Sequence, residues 1–182
     1  MYKNSKISFK YVNRHLEKAT KDYIIKEYMK HYDKRISKIQ YEKLYKKMSL
    51  LIKNRDKNAF FIAINEFNEI VGSISISDYD NRIEALKPIY QNKNIAEIGR
   101  CYIKEEYRRK GIGSKLLNLA SEFANDKNYQ TMYLHTHYFL PGGFNFWQKM
   151  GFNITLDEKN SMQTVHMQKQ IKNSQLIKQY NF

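Results

Sequence analysis

The chain has 182 residues, 42% of them apolar, with one cysteine and a formal net charge of +14. That size and apolar content allow one domain across residues 1–182 with a buried core, and the lone Cys101 excludes an internal disulfide. No stretch approaches the roughly 18 apolar residues of a membrane span, and Met1-Tyr2-Lys3-Asn4-Ser5-Lys6 lacks an apolar leader, so a soluble protein of the reducing cytoplasm is expected, with no membrane partner.

Residues 6 to 13 alternate apolar and polar, the period of a half-buried strand. Two helical stretches follow: Asp22 can cap one with Ile24, Ile25, Tyr28, Met29 and Tyr32 at helical spacing, and Ser37 can cap another with Tyr41, Leu44, Tyr45, Met48, Leu51 and Ile52 on one face. Most of the charge lies here. Residues 1–58 hold 17 basic against 6 acidic side chains, a net +11, while residues 59–182 hold 15 against 12, a net +3. Solvated helix faces and attraction to a polyanion both account for this excess; with no helix-turn-helix, zinc-finger or RNA-binding signature beside it, no sequence-specific nucleic-acid reader is expected.

Phe60–Ile64 and the run from Ile70 to Ser77 read as a hairpin about a turn at Asn65–Asn68, followed by a polar loop over 79–94 containing Pro88. Ile95–Ile103 reads as a strand, and Leu116, Leu117, Ala120, Phe123 and Ala124 trace a helix stripe over 111–124. Thr131–Thr136 returns to strand. Phe144–Met150 makes a short helix with Gly151 at its C′ position, and Phe152–Leu156 and Thr164–Met167 complete the sheet before a polar tail from about Lys172.

The most informative residues join the 95–103 strand to the next helix: Tyr107, Arg108, Arg109, Lys110, Gly111, Ile112, Gly113 and Ser114. Glycines in such a turn let successive N–H groups face one anion at the positive end of a helix dipole, and three cations stand beside it. The spacing is neither that of a P-loop nor that of the dinucleotide fingerprint.

Arg108-x-x-Gly111-x-Gly113 resembles the Q/R-x-x-G-x-G/A signature of the GNAT acetyltransferases. Ala96–Tyr107 is similar to that family's fourth strand, and Asn145-Phe146-Trp147-Gln148-Lys149-Met150-Gly151-Phe152 to its "FYxxxGF" element. The resemblance implies an α/β chain of the acyl-CoA N-acyltransferase fold: a mixed central sheet, splayed fourth and fifth strands and flanking helices. Acceptor-side helices would fall at about 20–54, the coenzyme-binding core at about 59–152 and C-terminal strands at about 152–170. It implies an acetyl-CoA cosubstrate, no metal and an amine acceptor, with a small molecule or antibiotic and a protein amine both open, and leaves open whether two copies pair.

By the same resemblance, the amides around Arg108, Arg109, Lys110, Gly111, Ile112, Gly113 and Ser114 would grip the pyrophosphate, and backbone groups of Cys101, Tyr102 and Ile103 would hold the pantetheine arm. Glu97, eleven positions before Arg108, would be the general base; alternation sets it beside Gly99, Cys101 and Ile103 on an apolar face, where a carboxylate's pKa should rise. A structural role for Glu97, paired with Arg100 or Lys104, is the alternative. Trp147 holds the position of the family's proton-donating tyrosine and would contact the coenzyme, but an indole N–H cannot serve as an acid. Tyr138, or else Tyr133, is the expected substitute; otherwise water suffices. His135 and His137 flank the same strand end. An acyl-Cys101 intermediate is disfavoured because no histidine adjoins it in sequence. A non-catalytic acyl-CoA- or polyanion-binding module is the competing reading.

Overall fold

The computed structural model describes residues 6–32 and 36–171, so the start of the chain and the tail from Lys172 lie outside the described residues. Along them run β1 (Ser8–Tyr11), α1 (Arg14–Tyr32), α2 (Lys38–Lys53), β2 (Ala59–Ile64), β3 (Ile70–Asp78), α3 (Lys87–Tyr90), β4 (Ile95–Ile103), α4 (Ile112–Asp126), β5 (Thr131–His137), α5 (Gly143–Lys149), β6 (Asn153–Asp157) and β7 (Thr164–Gln170). The strands form one mixed sheet in the order β1-β2-β3-β4-β5-β7-β6. The parallel β4–β5 register is Ile95↔Thr131, Ala96↔Met132 and Glu97↔Tyr133, a short part of either strand. By packing, the chain divides into two units: residues up to Ser77 with Arg100–Ala120, and Asp78–Gly99 with the residues from Ser121 on.

In the first unit, α1 begins at Arg14, well ahead of the apolar stripe that opens at Ile24. Asn13 Oδ1 accepts from the N–H groups of His15 and Leu16, the N-cap arrangement. The expectation that Asp22 caps this helix is therefore corrected. Asp22 lies inside α1, paired with Lys18 at 2.6 Å. The polar first two turns of α1 carry no apolar stripe to read, although good helix formers fill them. Ser37 caps α2 as expected and forms a full capping box with Gln40. Tyr23 and Ile24 of α1 meet Leu44, Met48 and Ile52 of α2 and Phe60, Ile62 and Ile64 of β2 in one apolar cluster. Lys21 is buried between the helices, bonded to Glu17 and Ser49 and set over the Tyr45 ring. Other lysines of α1 and α2, among them Lys18, Lys26, Lys43 and Lys46, face solvent.

The β2–β3 hairpin turns where expected, organised by Asn65: its Oδ1 accepts from the N–H groups of Phe67 and Glu69, and its Nδ2 donates to the Tyr107 hydroxyl. Gly72 of β3 is a close-approach position. A Cβ there would lie 2.9 Å from Ile103 Cδ1 and 3.1 Å from both Ile112 Cγ2 and Leu116 Cδ1. Gly72→Val should thus press on the end of β4 and the start of α4, lowering stability by about 1–3 kcal/mol. A lower urea midpoint at unchanged slope would show it; an unchanged midpoint would show that the packing gives way without cost.

In the second unit β5, β7 and β6 pair antiparallel, with His135↔His166 and Tyr133↔Gln168 among the partners. The loop expected over 79–94 is more ordered than its polar composition suggests, holding a 3-10 turn at Glu84–Leu86 and α3. Tyr79, Leu86 and Tyr90 anchor it on Ile95 and Tyr133. Past α5, Gly151 at φ 86 lets its own N–H reach the Gln148 carbonyl and that of Phe152 reach Trp147, with Trp147 and Phe152 in contact, a Schellman ending.

Candidate active site

The basic loop is built from the end of β4. The Lys104 N–H bonds the Val71 carbonyl, and a 3-10 turn at Glu105–Tyr107 follows, closed by Tyr107 N–H to Lys104 and Arg108 N–H to Glu105. Arg109 (φ 59) and Gly111 (φ 77) are both left-handed, which swings the chain round into α4. The first-turn N–H groups of α4, including those of Ile112, Gly113 and Ser114, have no intrahelical acceptor and lie at the positive end of a 15-residue helix. In front of Gly111 there is open space: an added Cβ would meet nothing within 4 Å. Arg109, Lys110 and Gly111 are exposed, and Ile112 is buried as the foot of the turn.

The three cations are not equivalent. Arg108 Nε donates to the Ile103 carbonyl at 3.2 Å, so part of this side chain is spent on folding the loop. Lys110 Nζ stands 5.2 Å from the Tyr107 ring centre, and Tyr107 is itself fixed by Asn65. An anion approaching these amides would meet charge already held in place.

Arg100, in the middle of β4, is left-handed at φ 51, and its carbonyl accepts from Ser73 Oγ at 2.8 Å. A left-handed residue interrupts the extended backbone at Arg100 and so breaks the strict alternation behind the single face expected over Glu97, Cys101 and Ile103. Beyond it, the Tyr102 carbonyl accepts from the Tyr23 hydroxyl at 3.1 Å, using one of its two lone pairs. Burial pushes the Cys101 thiol up to about 12, which keeps it protonated at neutral pH and makes it a poor nucleophile.

Glu97 has a different environment from the apolar one expected. Its side chain is about nine-tenths buried, and its partner is neither Arg100 nor Lys104 but Arg82, from the 79–94 loop. Arg82 NH1 donates to Oε2 at 2.7 Å and NH2 donates to Oε1, a two-nitrogen, two-oxygen fork. NH1 also meets Asp80 Oδ1 at 2.6 Å, and the guanidinium lies 5.6 Å from the Tyr79 ring centre. Burial works against the charge on Arg82, but hydrogen bonds and attraction from Glu97 and then Asp80 outweigh it and raise its pKa further. His135 Nδ1 lies 3.8 Å from Glu97 Oε1. The raised carboxylate pKa expected from apolar neighbours therefore loses its premise.

Of the two tyrosines, Tyr133 is fully buried and its hydroxyl is 2.8 Å from His166 Nδ1. His166 Nε2 faces Glu158 Oε1 at 2.6 Å; a carboxylate accepts, so Nε2 carries the hydrogen of that bond. Burial, then the charge of Glu97, raises the Tyr133 pKa. Tyr138 is 41% exposed and donates to Asp157 Oδ2 at 3.1 Å; desolvation, then that bond and that charge, raise its pKa. Trp147 is buried against Phe146 and Phe152 and so packs the core of its unit. His137 is buried, 3.2 Å from Thr164 Oγ1. Sequence reading missed Arg82, His166 and Glu158. Among the described residues no group of three or more His, Cys, Asp or Glu is arranged to hold a metal ion, and no helix is long and apolar enough to cross a membrane.

A model of the acetyltransferase (GNAT) family matches residues 20–152. Among solved structures, the chain is similar to a GNAT-family acetyltransferase from Staphylococcus aureus Mu50, at 18% identity over 92% of this chain and 100% of that one, with a TM-score of 0.71. It is similar to the PaiA N-acetyltransferase of Thermoplasma acidophilum in complex with coenzyme A, at 21% identity over 91% and 99% of the two chains, TM-score 0.67. It also resembles Arabidopsis thaliana NAA60 in complex with a bisubstrate analogue, at 13% identity over 93% and 100%, TM-score 0.69.

Proposed function

Because the chain belongs to the acetyltransferase (GNAT) family, we propose that this acyltransferase moves an acetyl group from acetyl-CoA to a primary amine by direct attack within a ternary complex. The observation that carries the reading is the turn through left-handed Arg109 and Gly111 into α4, which sets the first-turn N–H groups of that helix beside three cations, with open space at Gly111. That donor set suits a pyrophosphate. The solved coenzyme A complex of a similarly folded protein supports the same choice of cosubstrate.

Acetyl-CoA, when bound, supplies the thioester that is broken. The loop from Arg108 to Ser114 holds its phosphates, and backbone groups of Cys101, Tyr102 and Ile103 orient its arm. An alkylammonium has a pKa of about 10 and no lone pair at pH 7, so a base is required. Glu97 takes that proton once its carboxylate is released by Arg82. Tyr138 returns a proton to the departing thiolate, whose thiol pKa of about 8.5 makes the demand modest. Tyr138 is the tyrosine a ligand can reach, since Tyr133 is buried with its hydroxyl against His166. Cys101 forms no acyl intermediate.

The test is turnover of acetyl-CoA against a panel of alkylamines, amino acids, polyamines, antibiotics and peptides, with products identified by mass spectrometry. An N-acetylated product formed in proportion to enzyme is expected. Binding of acetyl-CoA without transfer to any amine would favour the non-catalytic binding module instead.

A further inference from the structure

The Arg82–Glu97 pair poses a chemical conflict, on the reading of Glu97 as base given above. A carboxylate with both oxygens held by a guanidinium fork is stabilised in its charged form and is a poor proton acceptor. To meet an ammonium, Glu97 has to be relieved of Arg82. Asp80 meets NH1 through one oxygen and its side chain is half exposed, whereas Glu97 meets both nitrogens and is nine-tenths buried. Moving Arg82 onto Asp80 would leave NH2 without the carboxylate it now has, in a side chain only 32% exposed, and a partly buried cationic donor left unpaired is costly.

We propose that Arg82 determines acceptor specificity: the acceptor carries an anionic group, such as a carboxylate, a few bonds from its amine. That group presents two oxygens to the Arg82 fork while the ammonium presents itself to Glu97. Two charge pairs are then exchanged and none is stranded. A planar fork matches a carboxylate better than it matches any single oxygen, and the guanidinium has the Tyr79 ring 5.6 Å away as a further contact. A shallow, open hollow of about 490 Å³ lies on the neighbouring part of the loop, lined by Asn81, Gln91, Asn92, Lys87 and Lys93 among others and by neither Arg82 nor Glu97. Lys87 is paired with Glu84, and Lys93 has no ion pair among the described residues.

The test compares matched pairs that differ by the carboxylate alone: phenylalanine with phenethylamine, tyrosine with tyramine, and lysine with cadaverine. Peptides with an acidic or a neutral first residue separate a free amino acid from a protein terminus as the source of the anion. In the wild type, kcat/KM is expected to favour the member bearing the anion by roughly 10- to 100-fold, the worth of a two-point charged contact. Arg82→Gln should bring that ratio close to one. The ratio is internal to each preparation, so it does not depend on the fraction folded. If the glutamine variant does not fold, Arg82→Lys, which keeps the charge and loses the fork, should give an intermediate ratio. Equal or better turnover of the decarboxylated amine by the wild type, or a preference unchanged in both variants, would overturn the proposal while leaving amine acetylation standing. Acetyl-CoA binding with no amine acetylated in either set would overturn both.

Discussion

Glu97→Gln should lower kcat by about 10²- to 10⁴-fold, the usual worth of a positioned general base, while the chain still folds and still binds acetyl-CoA. Glutamine keeps the size of the side chain and one acceptor for Arg82, and Arg82 retains Asp80, so its guanidinium is not abandoned. What disappears is basicity. The ascending limb of the pH–rate profile should therefore be lost or moved upward, because nothing of comparable basicity replaces the carboxylate. The measurement is kcat and kcat/KM across pH for both forms, with an acceptor found in the turnover panel. Near wild-type kcat with an unchanged profile would make the Arg82–Glu97 pair structural and direct attention to His135, 3.8 Å away.

Gly113→Val should weaken acetyl-CoA binding by at least about 100-fold, as expected when several charge-assisted hydrogen bonds are lost together. Gly113 lies in the first turn of α4, where its backbone would be closely approached by a phosphate, and a branched side chain fills that approach. The helix itself tolerates valine, whose propensity is slightly better than that of glycine. A circular dichroism spectrum like the wild type, together with lost binding, would place the effect in the loop; retained affinity would show that the phosphates are held elsewhere.

Much of the architecture can be read from periodicity and punctuation. The strand Ile95–Ile103 and the helix after the basic loop follow from a change of period, and the endings at Ser37 and Gly151 follow from side chains whose capping chemistry is local. The start of α1 does not, because its first turns are polar and the true cap, Asn13, stands ahead of the apolar stripe. The site divides in the same way. Its anion-binding loop is a continuous run of residues and is legible as such. The surroundings of Glu97 are not, since Arg82 comes from a loop whose polar composition hides three core residues, Tyr79, Leu86 and Tyr90. The Tyr133–His166–Glu158 chain joins three positions on separate elements, and no spacing rule links them. Nor does any residue preference announce a left-handed arginine inside β4.

Titration of acetyl-CoA into the wild-type chain, followed by calorimetry at two salt concentrations, tests the central claim most directly. One site per chain is expected, with affinity that falls as salt rises, because phosphates near Arg108, Arg109 and Lys110 are held partly by screened charge. Folded protein that takes up neither acetyl-CoA nor coenzyme A at either concentration would contradict it.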